Sequence, residues 1–209
     1  MASEDSGNVV KNVGTLVGVL LFVGLVAWGP FGVGEIVTRA VAPKPAPTVS
    51  VPTLQPSSPQ ELVIPRLKVK ARVVSVELRG DLTLQPPRSP SLVGWWTGSA
   101  RPGTSRGGTV IAGHTVHTGG GALDSLPTLR VGDRVDVRTK VGTMRYRVDE
   151  VVTYHKDQVA REASEIFGQD RSARLVVVTC DEWDGSSYLS NVVAYATPVQ
   201  AIPVAKKAA

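Results

Sequence analysis

The chain has 209 residues, enough for one ordinary domain with appendages, and its 42% of hydrophobic residues suffices for one core. Its formal net charge of +5 fits an anionic surface, such as a membrane or an acidic cell-wall polymer. The basic residues are scattered, with no run of five and no interleaved aromatic residues, which argues against nucleic-acid binding.

An uncharged, apolar stretch follows a short N-terminal tail of residues 1–12. The stretch covers residues 13–34, and as a helix it would be about 33 Å long, enough to cross a hydrocarbon core of about 30 Å. Ala40-Val41-Ala42 offers a signal-peptide cleavage site, but the apolar run is longer than usual for a signal peptide. We therefore favour a retained single-pass anchor in the cell membrane, with a cytoplasmic tail and an extracytoplasmic domain, over a cleaved signal.

A linker and one domain follow the anchor. Residues 35–60 are rich in proline, a composition that indicates an extended, semi-rigid spacer. The domain is expected over residues 61–200, and residues 201–209 form a C-terminal tail.

The domain is predicted to be mainly β. In residues 62–78 the alternation of apolar residues slips by one position, which indicates a bulge or two short strands. Further strands are predicted at 108–112, 133–139, 143–153, 174–180 and 192–198. Short helical segments are predicted at 122–129 and 157–167. Many short strands with little helix favour a closed or nearly closed barrel.

The chain has one cysteine, Cys180, at the end of the apolar strand 174–180. A single cysteine forms no internal disulfide, so it is a buried apolar residue, an intermolecular bridge or a nucleophile. His114 ends a second apolar strand after Gly113. A neighbouring imidazolium favours the thiolate and can donate its proton to a leaving amine, so the two residues together suit acyl transfer.

Other residues near these strand ends have plainer roles. His114, His117 and Asp124 lie in a glycine-rich loop rather than on a helix, and no second cysteine accompanies them, so we predict no metal site and no cofactor. Trp95 and Trp96 are expected in the core, and the Asp184-Gly185 pair predicts a turn.

Several segments after the linker resemble one known family in sequence and order. They are L-x-I-P-x-L-x-V-x-A at 62–71, V-G-W-W at 93–96, G-G-T-V-I-A-G-H-T at 107–115, L-x-x-L-x-V-G-D-R-V at 126–135, V-V-T-C-D at 177–181 and Y-x-x-N-V-V-x-x-A-T-P-V at 188–199. On these segments the domain resembles a sortase, most closely the actinobacterial class F group.

The resemblance implies an eight-stranded sortase β-barrel with one or two short helices, and the activity of a membrane-anchored cysteine transpeptidase. Such an enzyme cleaves a secreted protein at a C-terminal LPxTG-like sorting signal, holds the acyl fragment as a thioester, and transfers it to a peptidoglycan precursor or another amine. Carried onto this chain, Cys180 is the nucleophile and His114 the catalytic histidine.

One part of the family pattern is absent. Sortases generally carry an arginine on the strand after the cysteine, and here that position falls on Leu189 or Asn191. Asn191 can replace the arginine as a neutral donor, or Arg101 or Arg106 can reach the site, or the enzyme is impaired. Further candidates for oxyanion or substrate contacts are Thr115, Thr179, Trp183 and Tyr188.

Two other functions compete with the transpeptidase. The absent arginine raises the alternative of a catalytically impaired, membrane-tethered module that binds sorting signals. An L,D-transpeptidase is disfavoured, because its histidine and cysteine lie close in sequence, whereas His114 and Cys180 are 66 positions apart.

Overall fold

A closed β-barrel is built from eight strands, and one helix lies on its outside. The computed structural model describes residues 51–80 and 83–205, so the predicted anchor lies outside the described residues. The strands are β1 (Pro59–Ile64), β2 (Val69–Val76), β3 (Val93–Trp96), β4 (Gly108–Gly113), β5 (Arg134–Thr139), β6 (Gly142–His155), β7 (Arg174–Trp183) and β8 (Tyr188–Pro203), and helix α1 spans Lys156–Phe167. Within the described ranges, no helix is long and apolar enough to cross a membrane.

The strands follow one another around the barrel in the order β1-β2-β3-β4-β7-β8-β6-β5, and β5 pairs with β1 to close the ring. Two neighbouring pairs are parallel, β2 with β3 and β4 with β7, and the other pairs are antiparallel. The prediction of a mainly β, eight-stranded barrel is confirmed.

Alternation along the strands gives the sheet two apolar faces. On β7, Leu175 and Val177 point into the barrel and join the inner core, together with residues such as Leu62 and Ile64. Val176 and Val178 point outward and join a second cluster. A sheet buried on both faces explains why 174–180 reads as a continuous apolar run.

Helix α1 covers the second cluster. Its residues Val159, Ile166 and Phe167 pack on the outward-facing side chains of β4, β7 and β8. Near the end of α1, Arg174 at the start of β7 donates through Nη2 to the carbonyl oxygens of Glu165 (2.8 Å) and Ile166 (2.6 Å). Helix α1 therefore runs antiparallel to β7, with its first turn at the Cys180 end of that strand.

The structure places some boundaries differently from the sequence pattern. The segment 62–78 is divided by a 3-10 turn at Pro65–Leu67, before the slip in alternation, because proline cannot donate to the sheet there. Strand β3, with only four residues and an internal glycine, was not among the predicted strands. In 122–129 only the 3-10 turn Leu126–Thr128 forms.

Candidate active site

Parallel strands β4 and β7 bring the histidine and the cysteine to one end of the barrel. Ala112 is paired with Val178, and continuing that register places His114 opposite Cys180. The same alignment of β4 with β7 continues one residue beyond the Ala112–Val178 pair, because Thr179 Oγ1 donates to the Gly113 carbonyl at 3.1 Å. The predicted convergence of two strand ends is therefore present in the fold.

Cys180 lies on the outer face of the sheet, half-buried at the margin of the second cluster. Burial raises the pKa of its thiol above the ordinary value, against two smaller opposing effects. The positive charge of Lys156 and a hydrogen bond from Asn191 both favour the thiolate. At neutral pH Cys180 is thus a thiol in the resting structure.

Asn191 is the partner of Cys180 on strand β8. Its Nδ2 donates to the Thr179 carbonyl at 3.2 Å and lies 3.9 Å from Cys180 Sγ. The carbonyl fixes the amide orientation, because Oδ1 in the same place would meet another acceptor. Of the two residues left open by the sequence, Asn191 is paired with Cys180, whereas Leu189 lies two residues earlier in β8 and is 46% exposed.

The His114 ring is hydrogen-bonded to the backbone rather than to the sulfur. Its Nε2 lies 2.7 Å from the carbonyl oxygen of Pro87, in the connection between β2 and β3. A carbonyl only accepts, so Nε2 carries a proton and donates it. Among the described residues, no hydrogen bond joins His114 to Cys180, and Nδ1 is the ring nitrogen that the Pro87 contact does not use.

Two threonines lock the strands beneath the site. Thr179 uses its single hydroxyl proton on Gly113, so Thr115 is the donor of the 2.8 Å bond between the two hydroxyl groups. Thr179 is only 2% exposed and faces the barrel interior. The structure therefore presents Thr179 as a brace between β4 and β7, not as a group facing a substrate.

The loop after His114 is held by a carboxylate. Asp124 accepts hydrogen bonds from the backbone N–H groups of Val116 (2.7 Å) and Gly121 (2.9 Å). The carbonyl of His114 also accepts from the N–H of Leu123 at 3.1 Å. Asp124 thus orders the chain that leaves the histidine, and the described residues contain no His, Cys, Asp and Glu cluster suited to a metal ion.

Aromatic rings beside the site join two loops. His117 stacks on Trp183 with ring centroids 4.3 Å apart and planes within 2°, and Trp183 also contacts the Tyr188 ring at 5.0 Å. Trp183 remains 39% exposed, so it packs in the hairpin and still presents part of its ring to solvent. The Tyr188 hydroxyl is buried without a hydrogen-bond partner among the described residues.

The arginines considered as oxyanion donors lie elsewhere. Arg106 bridges to Ser172 just before β7, and Ala100, next to Arg101, donates its N–H to the Gly108 carbonyl. Both arginines therefore lie near the start of β4, about 20 Å along the strand from His114. The structure does not bring Arg101 or Arg106 to Cys180.

Sequence reasoning missed two residues that the fold adds to the site. One of them is His117, which stacks on Trp183. These two residues are 66 positions apart, as are His114 and Cys180, and this equal spacing could have indicated from the sequence that His117 and Trp183 are neighbours. Lys156 gave no such signal, because its position depends on the direction in which α1 leaves β6. As expected, Trp95 is buried in the barrel core, and Trp96 packs against the second cluster.

The fold of this chain is similar to that of several solved sortase structures. Sortase C-1 from Actinomyces oris is 18% identical, with a TM-score of 0.54, over 70% of this chain and 75% of that one. A lid mutant of sortase A from Corynebacterium diphtheriae is 18% identical, with a TM-score of 0.54, over 70% and 72%. Streptococcus pneumoniae sortase C is 15% identical, with a TM-score of 0.56, over 71% and 72%.

Sequence comparison gives the family. A search of curated proteins found no significant match. A family model of the sortase domain matches residues 62–199, most of the chain, including both strand ends described above. The chain therefore belongs to the sortase family of cysteine transpeptidases.

Proposed function

We propose that this sortase is anchored in the cell membrane, cleaves secreted proteins at a C-terminal LPxTG-like sorting signal, and transfers them to a cell-wall amine. The observation that carries the proposal is the register of β4 and β7, which places His114 opposite Cys180 at one sheet end. A thiol and an imidazole in this relation are the groups that peptide-bond cleavage through a thioester requires.

The reaction has two acyl transfers. The Cys180 thiolate attacks the scissile carbonyl carbon and forms the C–S bond, and the C–N bond breaks as the leaving amine takes a proton from the His114 imidazolium. The acceptor amine then attacks the thioester and gives a proton to His114. The C–S bond breaks and the thiolate is restored, with no net oxidation or reduction.

Asn191 is the neutral donor closest to this chemistry. Its Nδ2 lies 3.9 Å from the sulfur, on the face where the substrate carbonyl has to lie. A neutral donor is about half as strong as a charged one, so we infer weaker oxyanion stabilisation than an arginine would give.

The second candidate is an impaired module that binds sorting signals without turnover. Two observations favour it: strand β8 carries no arginine, and His114 donates to Pro87 rather than to the sulfur. The exposed surface of Trp183 would then help to hold the peptide without cleavage.

The finer assignments rest on the sequence. The motifs at 107–115 and 188–199 support placement in class F, and the uncharged stretch 13–34 supports a single-pass anchor with the barrel outside the cell. The proline-rich spacer would then hold the barrel away from the bilayer.

Incubation of the full chain with LPxTG-type peptides and an oligoglycine amine should give a thioester on Cys180, seen by intact mass spectrometry, and a transpeptidation product. Cys180→Ala should abolish both while leaving the melting temperature nearly unchanged, because the thiol is only half-buried.

Asn191→Ala tests the role of the amide, and the wild-type chain separates the two candidates. Slower thioester formation in this variant supports a turning-over enzyme that uses the amide. If the wild-type chain binds peptides of several signal sequences but forms no thioester on Cys180, the binding module is established and the transpeptidase proposal is refuted.

A further inference from the structure

We propose that Lys156, at the junction of β6 and α1, is the cation that stabilises the Cys180 thiolate from across two strands of the sheet. The inference rests on the proposed role of Cys180 as the nucleophile. Lys156 acts through the sulfur and does not contact the substrate in this assignment.

The pairing of strands β7, β8 and β6 sets the distance. Asn191 pairs with Cys180 on one side and with Tyr154 on the other, so Cys180 and Tyr154 are two strand spacings apart, about 9.5 Å. Tyr154 packs on the same outer face as the second cluster. Lys156 follows Tyr154 by two residues.

The direction of α1 turns Lys156 toward the sulfur. Lys156 is the first residue of the helix, and the helix folds back over the outer face with its last turn at Arg174. The lysine therefore lies at the Cys180 end of that face, on a long flexible stem. The positive end of the helix dipole lies at the same place and adds to its effect.

Other charged groups surround Cys180 from each neighbouring segment. By position in the chain and in the sheet, these are His114 after β4, Asp181 and Glu182 on β7, and His155, Lys156 and Asp157 at the β6–α1 junction. Asp157 is paired with Arg161 at 2.7 Å, and Glu182 accepts a hydrogen bond from Ser190. Among the described residues Lys156 forms no ion pair, so its charge is not neutralised locally.

The electrostatics of the thiol agree with this geometry. The charge of Lys156 lowers the pKa of Cys180 and partly offsets the increase caused by burial. A unit charge roughly two strand spacings away, in a partly solvated site, changes the thiolate fraction at neutral pH by about threefold to tenfold.

The single cysteine makes the test direct, because alkylation by iodoacetamide reports this thiol alone. In the full chain in detergent, Lys156→Met should slow alkylation at neutral pH by about threefold to tenfold and move the pH profile upward. Lys156→Glu should have a larger effect, and Lys156→Arg should remain within about twofold of the wild-type chain. The difference should shrink in 1 M salt, where the Debye length is about 3 Å.

Lys140→Met is the matched control. Lys140 lies in the turn before β6, at the opposite end of that strand, so the same loss of charge should leave the alkylation profile unchanged. Equal melting temperatures would show that both variants fold.

Two results would overturn the proposal. One is a wild-type alkylation profile in Lys156→Met, even if peptide transfer is lost, and the other is an equal shift in Lys140→Met. A Lys156-dependent profile in a chain that forms no thioester with any peptide would retain this inference while refuting the proposed function.

Discussion

Asp184 controls the hairpin that follows the cysteine. Its Oδ1 accepts the backbone N–H groups of Ser186 and Ser187, each at 2.8 Å, and Gly185 adopts a positive φ of 101°. These hydrogen bonds lower the pKa of the Asp184 carboxyl to about 2. The predicted Asp-Gly turn is confirmed, and Asp184 has no part in orienting His114 in this structure.

The turn should therefore withstand mild acid. Because the folded-state pKa is lowered, the stabilising effect is fully present above about pH 4 and is lost as the pH falls through about 2. Asp184→Ala should reduce the hydrogen-exchange protection of the Ser186 and Ser187 amides already at pH 6, measured by NMR. Asp181→Ala is the control and should leave both amides protected; equal protection in Asp184→Ala would contradict the assignment.

At the scale of the element, strand β4 ends at a glycine that leaves no room for a side chain. Gly113 is fully surrounded, and a Cβ built there would lie 2.6 Å from Leu123 Cδ1, 2.8 Å from Leu123 Cγ and 3.0 Å from Val93 Cγ1. The glycine lets the strand pass close to the core before the chain turns outward at His114. The position of His114 thus depends on Gly113 having no side chain.

Gly113→Ala should destabilise the protein by about 1–3 kcal/mol through overpacking, measured by urea denaturation. Gly108→Ala is the matched control on the same strand, because its Cβ would meet its nearest neighbour at 3.6 Å, an ordinary contact. Equal stability of the two variants would refute the packing argument.

At the scale of the whole molecule, the site lies on the outside of a closed ring. Since β1 pairs with β5, the ring has no open edge, and a peptide reaches Cys180 without entering the barrel interior. Glu61 reinforces the closure by pairing with Arg138 at 2.6 Å and Lys70 at 3.7 Å. The barrel strands start at Pro59, so the last two residues of the predicted spacer 35–60 belong to β1.

Deletion of residues 1–46 should move the protein from the membrane fraction to the soluble fraction, measured by fractionation and immunoblotting. The alkylation rate of Cys180 should stay within about twofold of the full chain, since the deleted residues precede the compact unit Pro47–Ala209. A truncated chain that still sediments with membranes would refute the anchor, and a mature N-terminus just after Ala42 would establish the cleaved signal.

Predictions from the sequence were correct for elements that a single pattern of apolar residues identifies. The apolar run at 174–180 indicated a strand buried on both faces, and the segment 157–167 indicated the helix that begins one residue earlier. Strand β3 was missed, because Val93–Trp96 is short and its pairing with β2 and β4 is what makes it a strand.

The site was only partly predictable for a related reason. Cys180 and His114 can be identified from the sequence because they are reactive residue types at the ends of apolar strands. Lys156 resembles any surface lysine until the direction of α1 is known. The contact of His114 with Pro87 likewise joins segments 27 positions apart and has no local signature.

The parallel pairing of β4 and β7 also has a consequence for the newly made chain. Its histidine and its thiol come from segments separated by an entire hairpin and a helix, and contacts of such long range form late in folding. Until the two strands meet, the thiol has no imidazole held opposite it. A newly made chain therefore carries a thiol but no transpeptidase site, which arises only with the completed barrel.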